Sequence, residues 1–248
     1  MAPSFVCEQG DAREEAAYAR VLGEGMRADL LLTDPPYCLL VRRRKGGDLR
    51  EPKDRKIDRG PVHRFESVRD YRAFTEAWLP KAVARLSPTA TVILWTNFLG
   101  KEPLLDVARA SGYGHLAHEF TWAKRTGERG GAAEEWLRVY EVGLVLHRGA
   151  PAPLENEAPT PPTAVVGGYD DDGEGARWGS HPNHKPFSVV APLVRFYSRV
   201  GEQVLDPFAG SGSIPEAALR LGRRAACLEL EPEWAARVRE RLGRVSGL

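Results

Sequence analysis

The 248-residue chain has no apolar run approaching the roughly 20 residues that a membrane-spanning helix needs, and no basic-then-apolar pattern at Met1–Val6. Neither a membrane protein nor an exported one is expected, so the expected location is cytoplasmic. Cysteine is scarce: Cys7, Cys38 and Cys227 are scattered without metal-ligand spacing, which excludes a disulfide framework and a cysteine-built metal centre. His181 and His184 have no third ligand nearby, so no metal is expected. Excess charge is also lacking. The formal net charge is +1, and total charge therefore gives no argument for a polyanionic partner. No internal repeat is apparent.

What is present reads as one large core. Apolar residues make up 42% of the chain and charged residues 28%, ordinary values for a globular domain. Strand and helix patterns alternate. Strands are expected at Phe5–Gln9, Asp29–Thr33, Thr91–Thr96, Leu116–Lys124, Val139–His147, Gln203–Asp206 and Arg224–Leu230. Helices are expected at Tyr71–Leu86 with a kink at Pro80, and at Lys101–Ser111, Phe187–Arg199, Ser213–Leu221 and Glu231–Leu242. Such alternation implies an α/β domain, a mostly parallel sheet covered by helices on both faces, with ligands at the carboxyl ends of the strands.

Charge is unevenly distributed. Between Cys38 and Phe65 lie Arg42, Arg43, Arg44 and Lys45 and six further basic residues, opposed by Asp48, Glu51, Asp54 and Asp58 only. This stretch lacks apolar periodicity and reads as a long basic loop inserted at 38–66, suited to neutralising phosphates. The opposite sign marks Ala150–Gly175, with five prolines and the run Asp170-Asp171-Asp172. It reads as an exposed, largely disordered acidic linker, part of a proline-rich interval at 150–178.

Two short strings stand at strand ends. Asp34-Pro35-Pro36-Tyr37 follows the first buried strand pattern, and the segment from Asp206 through Phe208, Ala209, Gly210, Ser211 and Gly212 follows Gln203–Leu205 and opens a helix. The two glycines permit turn geometry and close approach of a ligand to the backbone. A dinucleotide fingerprint would require a third glycine where Pro215 stands. The next strand ends at Glu229, an acid placed to bind ribose hydroxyls.

Together these strings resemble the catalytic and S-adenosylmethionine loops of the amino-group DNA methyltransferases. Their order, tetrapeptide first and glycine loop last, is that of the permuted class beta. His181-Pro182-Asn183-His184-Lys185-Pro186 resembles the family segment before the glycine-loop strand, although His184 stands where an acid is usual. Gly10-Asp11-Ala12 resembles the segment beside the cofactor adenine, and Trp122-Ala123-Lys124 and Tyr140-Glu141 resemble two middle strands.

The resemblance implies a single Rossmann-like methyltransferase domain over residues 1–248. It implies S-adenosylmethionine held by Asp11, Lys185, Asp206, Phe208, Ala209, Gly210, Ser211, Gly212 and Glu229, and catalysis by Asp34, Pro35, Pro36 and Tyr37. An exocyclic amine is a poor nucleophile because its lone pair is delocalised into the base. Asp34 and the Pro35 carbonyl would accept its hydrogens and stabilise the positive charge that develops. The prolines would fix those acceptors, and Tyr37 would stack on an extruded base. No metal or covalent intermediate is required.

Aspartate at the head of the tetrapeptide favours adenine N6. Cytosine N4 and an RNA adenine remain alternatives, whereas cytosine carbon-5 chemistry would need a Pro-Cys nucleophile that the chain lacks. The family's large target-recognition domain is replaced by the acidic interval. Recognition of DNA would therefore fall to the basic loop (Arg42, Arg43, Arg44, Lys45), to Arg125–Arg138, or to a partner or second subunit in a homodimer. Two readings of other classes stay open. A nicotinamide oxidoreductase would use Gly210–Glu229 but leave Asp34 and Lys185 idle, and a non-catalytic nucleic-acid-binding module would use only the arginines.

Overall fold

The computed structural model describes residues 4–41, 63–124, 140–149, 159–167, 173–179, 181 and 183–247. The proposed phosphate-binding residues Arg42, Arg43, Arg44 and Lys45, and the Arg125–Arg138 stretch, lie outside the described residues.

In chain order the strands are β1 (Phe5–Gln9), β2 (Ala28–Thr33), β3 (Leu86–Thr96), β4 (His115–Lys124), β5 (Tyr140–His147), β6 (Ala164–Gly167), β7 (Gln203–Asp206) and β8 (Arg224–Glu229). The helices are α1 (Glu15–Leu22), α2 (Val68–Ala84), α3 (Lys101–Ala110), α4 (Glu174–Arg177), α5 (Phe187–Tyr197), α6 (Ser213–Arg220) and α7 (Pro232–Ser246). The strands form one sheet in the order β1-β8-β7-β2-β3-β5-β4-β6. Every neighbouring pair is parallel except β3–β5 and β5–β4, so β5 alone runs backwards. The expected mostly parallel α/β sheet is present.

Apolar residues on successive positions of one strand serve two cores. In β2, Leu31 joins one cluster while Leu30 and Leu32 join the other, and β3 repeats this with Val92 and Leu94 against Ile93 and Trp95. This is the pattern of a strand covered on both faces. Tyr18 of α1, Trp78 of α2 and Leu104 of α3 cover the first face. Val190 of α5, Ala217 of α6 and Val238 of α7 cover the second. Local signals set helix boundaries: the Ser67 hydroxyl accepts the Asp70 N–H at 3.2 Å to open α2, and Pro232 opens α7.

Two sequence expectations need correction, and one helix was not foreseen. Leu86 was expected to end a helix but begins β3, because Arg85 turns the chain directly into the sheet. The α1 helix went unrecognised in its short amphipathic run. The expected disordered linker contains an ordered edge: Ala164–Gly167 pairs in parallel with β4, Thr121 N–H donates to Thr163 O at 2.8 Å, and the Trp122 indole donates to Gly167 O at 3.2 Å. Acidic and proline-rich flanks hid a four-residue run with two valines, Val165 and Val166, that becomes a strand only against the open edge of β4. Further along the same interval α4 forms, and its Glu174 accepts the Trp178 indole at 2.8 Å.

No helix among the described residues is long and apolar enough to cross a membrane. The carboxyl ends of β7 and β2 lie side by side, and α7 packs nearby against α6, β1 and β8. Arg241 there is 2% exposed, forms an ion pair with Glu216 of α6 and donates to Ser211 O at 3.0 Å. Replacing Arg241 with alanine would leave the buried Glu216 carboxylate only its more distant ion pair with Arg220, at 3.8 Å, and the Ser211 carbonyl without this donor. Urea unfolding of Arg241→Ala should show a loss of about 3–5 kcal/mol relative to wild type.

Candidate active site

The parallel pairing of β2 with β7 brings the two sequence strings to one sheet edge, at the position where strand order reverses direction. A direct bond ties them together: Thr33 Oγ1 donates to Asp206 Oδ1 at 2.7 Å. Asp34, Lys185, Phe208, Ala209, Gly210 and Ser211 line one cleft together with His181, Asn183, Ser213 and Ile214.

The glycine loop bends as expected, with Gly210 at φ 53° and Gly212 at φ 80°, where side chains are strained. The two glycines face different neighbours. A Cβ on Gly210 would stand 2.9 Å from the His181 ring, whereas one on Gly212 would meet Val238 and Arg241 of the α7 layer at 3.3–3.4 Å. Gly212 therefore permits the turn and the close approach of α7. Gly210 faces His181, whose ring rests edge-on against Trp234 at 4.5 Å. His184 also serves this loop, with Nδ1 3.2 Å from the Ser211 hydroxyl. Among the described residues no group of three His, Cys, Asp or Glu side chains could hold a metal.

Glu229 reaches into the loop. Its Oε2 accepts the Gly210 N–H at 2.7 Å and its Oε1 the Glu231 N–H at 3.0 Å, while burial pushes its carboxyl above the ordinary range. Each oxygen retains a lone pair for a ligand hydroxyl. Asp206 Oδ1 accepts from Thr33 and from the Phe208 N–H at 3.1 Å, but its Oδ2 is buried without a hydrogen-bond partner. An orphaned buried acceptor beneath a glycine loop suits a cationic donor on a ligand. Asp11 lies farther out, at the end of the edge strand β1. Arg13 grips it at 2.5 Å and holds its carboxyl below the usual range. Gly10 N–H donates to Glu229 O at 2.9 Å, which keeps Asp11 near the β8 end but outside the cleft just described.

The tetrapeptide is buried at its head, with Asp34 9% exposed and its Oδ1 lacking a hydrogen-bond partner. Lys185, 1% exposed, places Nζ 2.5 Å from Asp34 Oδ2, 3.0 Å from Glu141 Oε2 and 3.2 Å from the Tyr37 hydroxyl. The Trp95 ring centroid lies 4.9 Å from the same ammonium. Burial alone would lower the lysine's pKa, but the two carboxylates outweigh it and hold the ammonium above its ordinary value. Burial raises the Asp34 carboxyl; Lys185 opposes that shift, and Glu141 adds to it. Lys185 was expected to close the cofactor pocket. It lines the cleft and also binds the proposed catalytic acid. Glu141, expected only as the start of a strand, is the residue that sequence reasoning missed.

The family profile described as DNA methylase, for the N6/N4 group, matches residues 28–240. The chain belongs to this family of S-adenosylmethionine-dependent DNA methyltransferases. It is 28% identical over 228 residues to the YubD protein of Escherichia coli (strain K12), named as a methylase, covering 89% of this chain and 84% of that one. The fold resembles that of M1.HpyAVI, solved as its S-adenosylmethionine complex, with TM-score 0.66 and 17% identity over 95% of this chain and 98% of the other. It also resembles the cytosine-N4-specific PvuII DNA methyltransferase, with TM-score 0.60 and 16% identity over 99% and 94% of the two chains.

Asp206 gives a test of the site in this methylase without any ligand. Burial pushes its pKa from 3.8 up to about 7. Between those values the unfolded chain has released the proton while the folded one retains it, so this carboxyl makes stability fall as pH rises through that window. In Asp206→Asn the contribution is absent. The stability of wild type relative to Asp206→Asn should therefore decline by a few kcal/mol between pH 4 and pH 7 and level off above about pH 7, as read by urea unfolding at each pH.

Proposed function

We propose that this methylase transfers the methyl group of S-adenosylmethionine to the exocyclic N6 amine of an adenine extruded from duplex DNA. The observation that carries the proposal is the buried Asp34 carboxylate, whose Oδ1 lacks a partner, in a cleft that it shares with the glycine loop. The cofactor, when bound, supplies an electrophilic methyl on a sulfonium. The orphaned Asp206 Oδ2 suits its ammonium, and the remaining lone pairs of Glu229 suit its ribose hydroxyls.

On the substrate side, Asp34 Oδ1 and the Pro35 carbonyl accept the amine hydrogens. This localises the nitrogen lone pair and stabilises the positive charge that develops on nitrogen. Pro35 and Pro36 restrict the backbone that aims these acceptors. The Tyr37 ring is partly exposed while its hydroxyl meets Lys185 at 3.2 Å, so the ring offers a stacking face anchored from behind. Adenine is favoured over cytosine N4 by the aspartate that heads the tetrapeptide.

Asp34 acts mainly in the transition state, so Asp34→Ala should lower kcat by two orders of magnitude or more while leaving the Kd for S-adenosylmethionine nearly unchanged. The assay is transfer of labelled methyl to unmethylated duplex DNA, followed by nucleoside analysis. N6-methyladenine is expected. N4-methylcytosine would reassign the base, label only on RNA would reassign the polymer, and full turnover by folded Asp34→Ala would remove Asp34 from catalysis.

The reading also assigns DNA contact to Arg42, Arg43, Arg44 and Lys45 of the basic 38–66 insertion, within a single methyltransferase domain that has no separate recognition domain. Its support is charge and position. The chain enters the insertion directly after Tyr37, and Val41 N–H donates to Phe65 O at 2.9 Å, closing the base of the insertion beside the tetrapeptide. Changing these four residues to serine should weaken binding to all duplex sequences. The slope of log K against log salt should become shallower by about 0.9 for each phosphate that is no longer neutralised, measured by fluorescence anisotropy at several salt concentrations. Identical salt titrations would place the DNA surface elsewhere.

A further inference from the structure

Three ionisable side chains from distant parts of the chain meet in the buried wall of the cleft, and methyl transfer as proposed above uses only one of them directly. Asp34 follows β2, Lys185 precedes α5, and Glu141 is the second residue of β5. Glu141 reaches the site because β5 runs backwards: its beginning lies where the other strands end, with Glu141 opposite Trp122 and Val142 opposite Thr96. Glu141 is 7% exposed and its Oε2 lies 3.0 Å from Lys185 Nζ.

The charges in this cluster present a problem for the proposed chemistry. An ammonium 2.5 Å from Asp34 Oδ2 neutralises the acceptor that must stabilise a developing cation. A lysine paired with Asp34 alone would make the pair formally neutral. With a second carboxylate on the same ammonium, Lys185 is shared, and these three side chains sum to −1 when both acids are ionised. Low surrounding polarity makes that extra charge effective at short range.

We propose that Glu141 is a positioning residue for methyl transfer: by sharing the Lys185 ammonium it weakens the neutralisation of Asp34, so that Asp34 presents more negative charge to the amine. This rests on the functional reading above. Glu141 touches neither donor nor base in this account and acts through Lys185. Among the described residues, the other titratable groups with an electrostatic influence on Asp34, or influenced by it, are Tyr37 in its own loop, Tyr71 of α2 and Asp206 at the end of β7. None of these supplies a second carboxylate to Lys185.

The isosteric Glu141→Gln variant keeps the size of the side chain and one acceptor oxygen and removes the charge. Two readouts are needed. The first is steady-state methylation of amplified, hence unmethylated, duplex DNA of mixed sequence with tritiated S-adenosylmethionine from pH 5 to pH 9. Glu141→Gln should lower the plateau kcat by about 10–100-fold, with KM for the donor changed less than threefold. Its acid limb should shift to lower pH, because a like charge beside Asp34 has been removed. Glu141→Asp, which keeps the charge, should retain the wild-type limb and recover part of the plateau.

The second readout is carbon NMR of carboxyl-labelled aspartate in the free protein, with Asp34 assigned through Asp34→Asn. The Asp34 titration should likewise move to lower pH in Glu141→Gln. A folded Glu141→Gln protein with wild-type kcat and an unmoved Asp34 titration overturns the proposal. So does an equal loss in Glu141→Gln and Glu141→Asp with both limbs in place, which would make Glu141 purely structural. If the Asp34 titration shifts but wild type methylates no nucleic acid, the charge coupling stands and the methyl-transfer reading fails.

Discussion

The structure depends on two parallel strands from opposite halves of the chain lying side by side. β2 and β7 pair through Leu30↔Val204 and Leu31↔Leu205, and the bond from Thr33 to Asp206 joins residues 173 positions apart. The candidate site follows from this contact. The strand-end carboxyl of β7 and the tetrapeptide of β2 come to share one wall, and β8, paired on the other side of β7, delivers Glu229 to the same edge. A methyl transferase must bring an electrophile and a nucleophile together, and each half of that task is encoded in a separate strand–loop unit. Leu30, Leu31 and Leu32 are buried on both faces and would tolerate a shift of one residue in the pairing, whereas the bond from Thr33 to Asp206 would not, so that bond ties the alignment to the site.

The ligand-facing loop is stiffened from behind. Glu229 holds the Gly210 N–H, Arg241 holds the Ser211 carbonyl, and the buried Arg241–Glu216 contact joins α7 to α6 below the turn. A glycine loop without such support would be free to adopt many conformations, and a ligand would have to order it at an entropic cost. Here the same side chains that complete the core restrict the loop before any ligand arrives.

Strand and helix existence was largely legible in the sequence, because Leu30-Leu31-Leu32 and Val92-Ile93-Leu94-Trp95 have no polar interruption and the helices carry periodic apolar faces. The candidate site could be proposed from the sequence where a string is compact, as in Asp34–Tyr37 or Asp206–Gly212. What was hidden depends on the tertiary arrangement. Ala164–Gly167 becomes a strand only because β4 presents an open edge. Glu141 could be seen to begin a strand, but only the reversal of β5 carries it to Lys185. Gly212 could be recognised as a turn residue, yet its contact with Val238 requires α7 to be in place. Lys185 was read as part of a pocket wall, and nothing local indicates that its ammonium lies between two acids.

The charge arrangement raises a physical question about how a polyanion can approach an acidic centre. Asp34 and Glu141 are 9% and 7% exposed, respectively, and Lys185 is buried between them, so much of their field is already offset before it reaches the surface. A phosphate about a Debye length away, roughly 8 Å at physiological ionic strength, feels little of it. The basic residues of the 38–66 insertion outnumber its acids, and under the proposed function they would dominate encounter. Under the same proposal an extruded base would enter the cleft, and its amine would meet the acidic centre at short range. Burial thus separates two requirements that would conflict on an open surface: attraction of the phosphate backbone at long range, and a negative charge at the reacting nitrogen at short range.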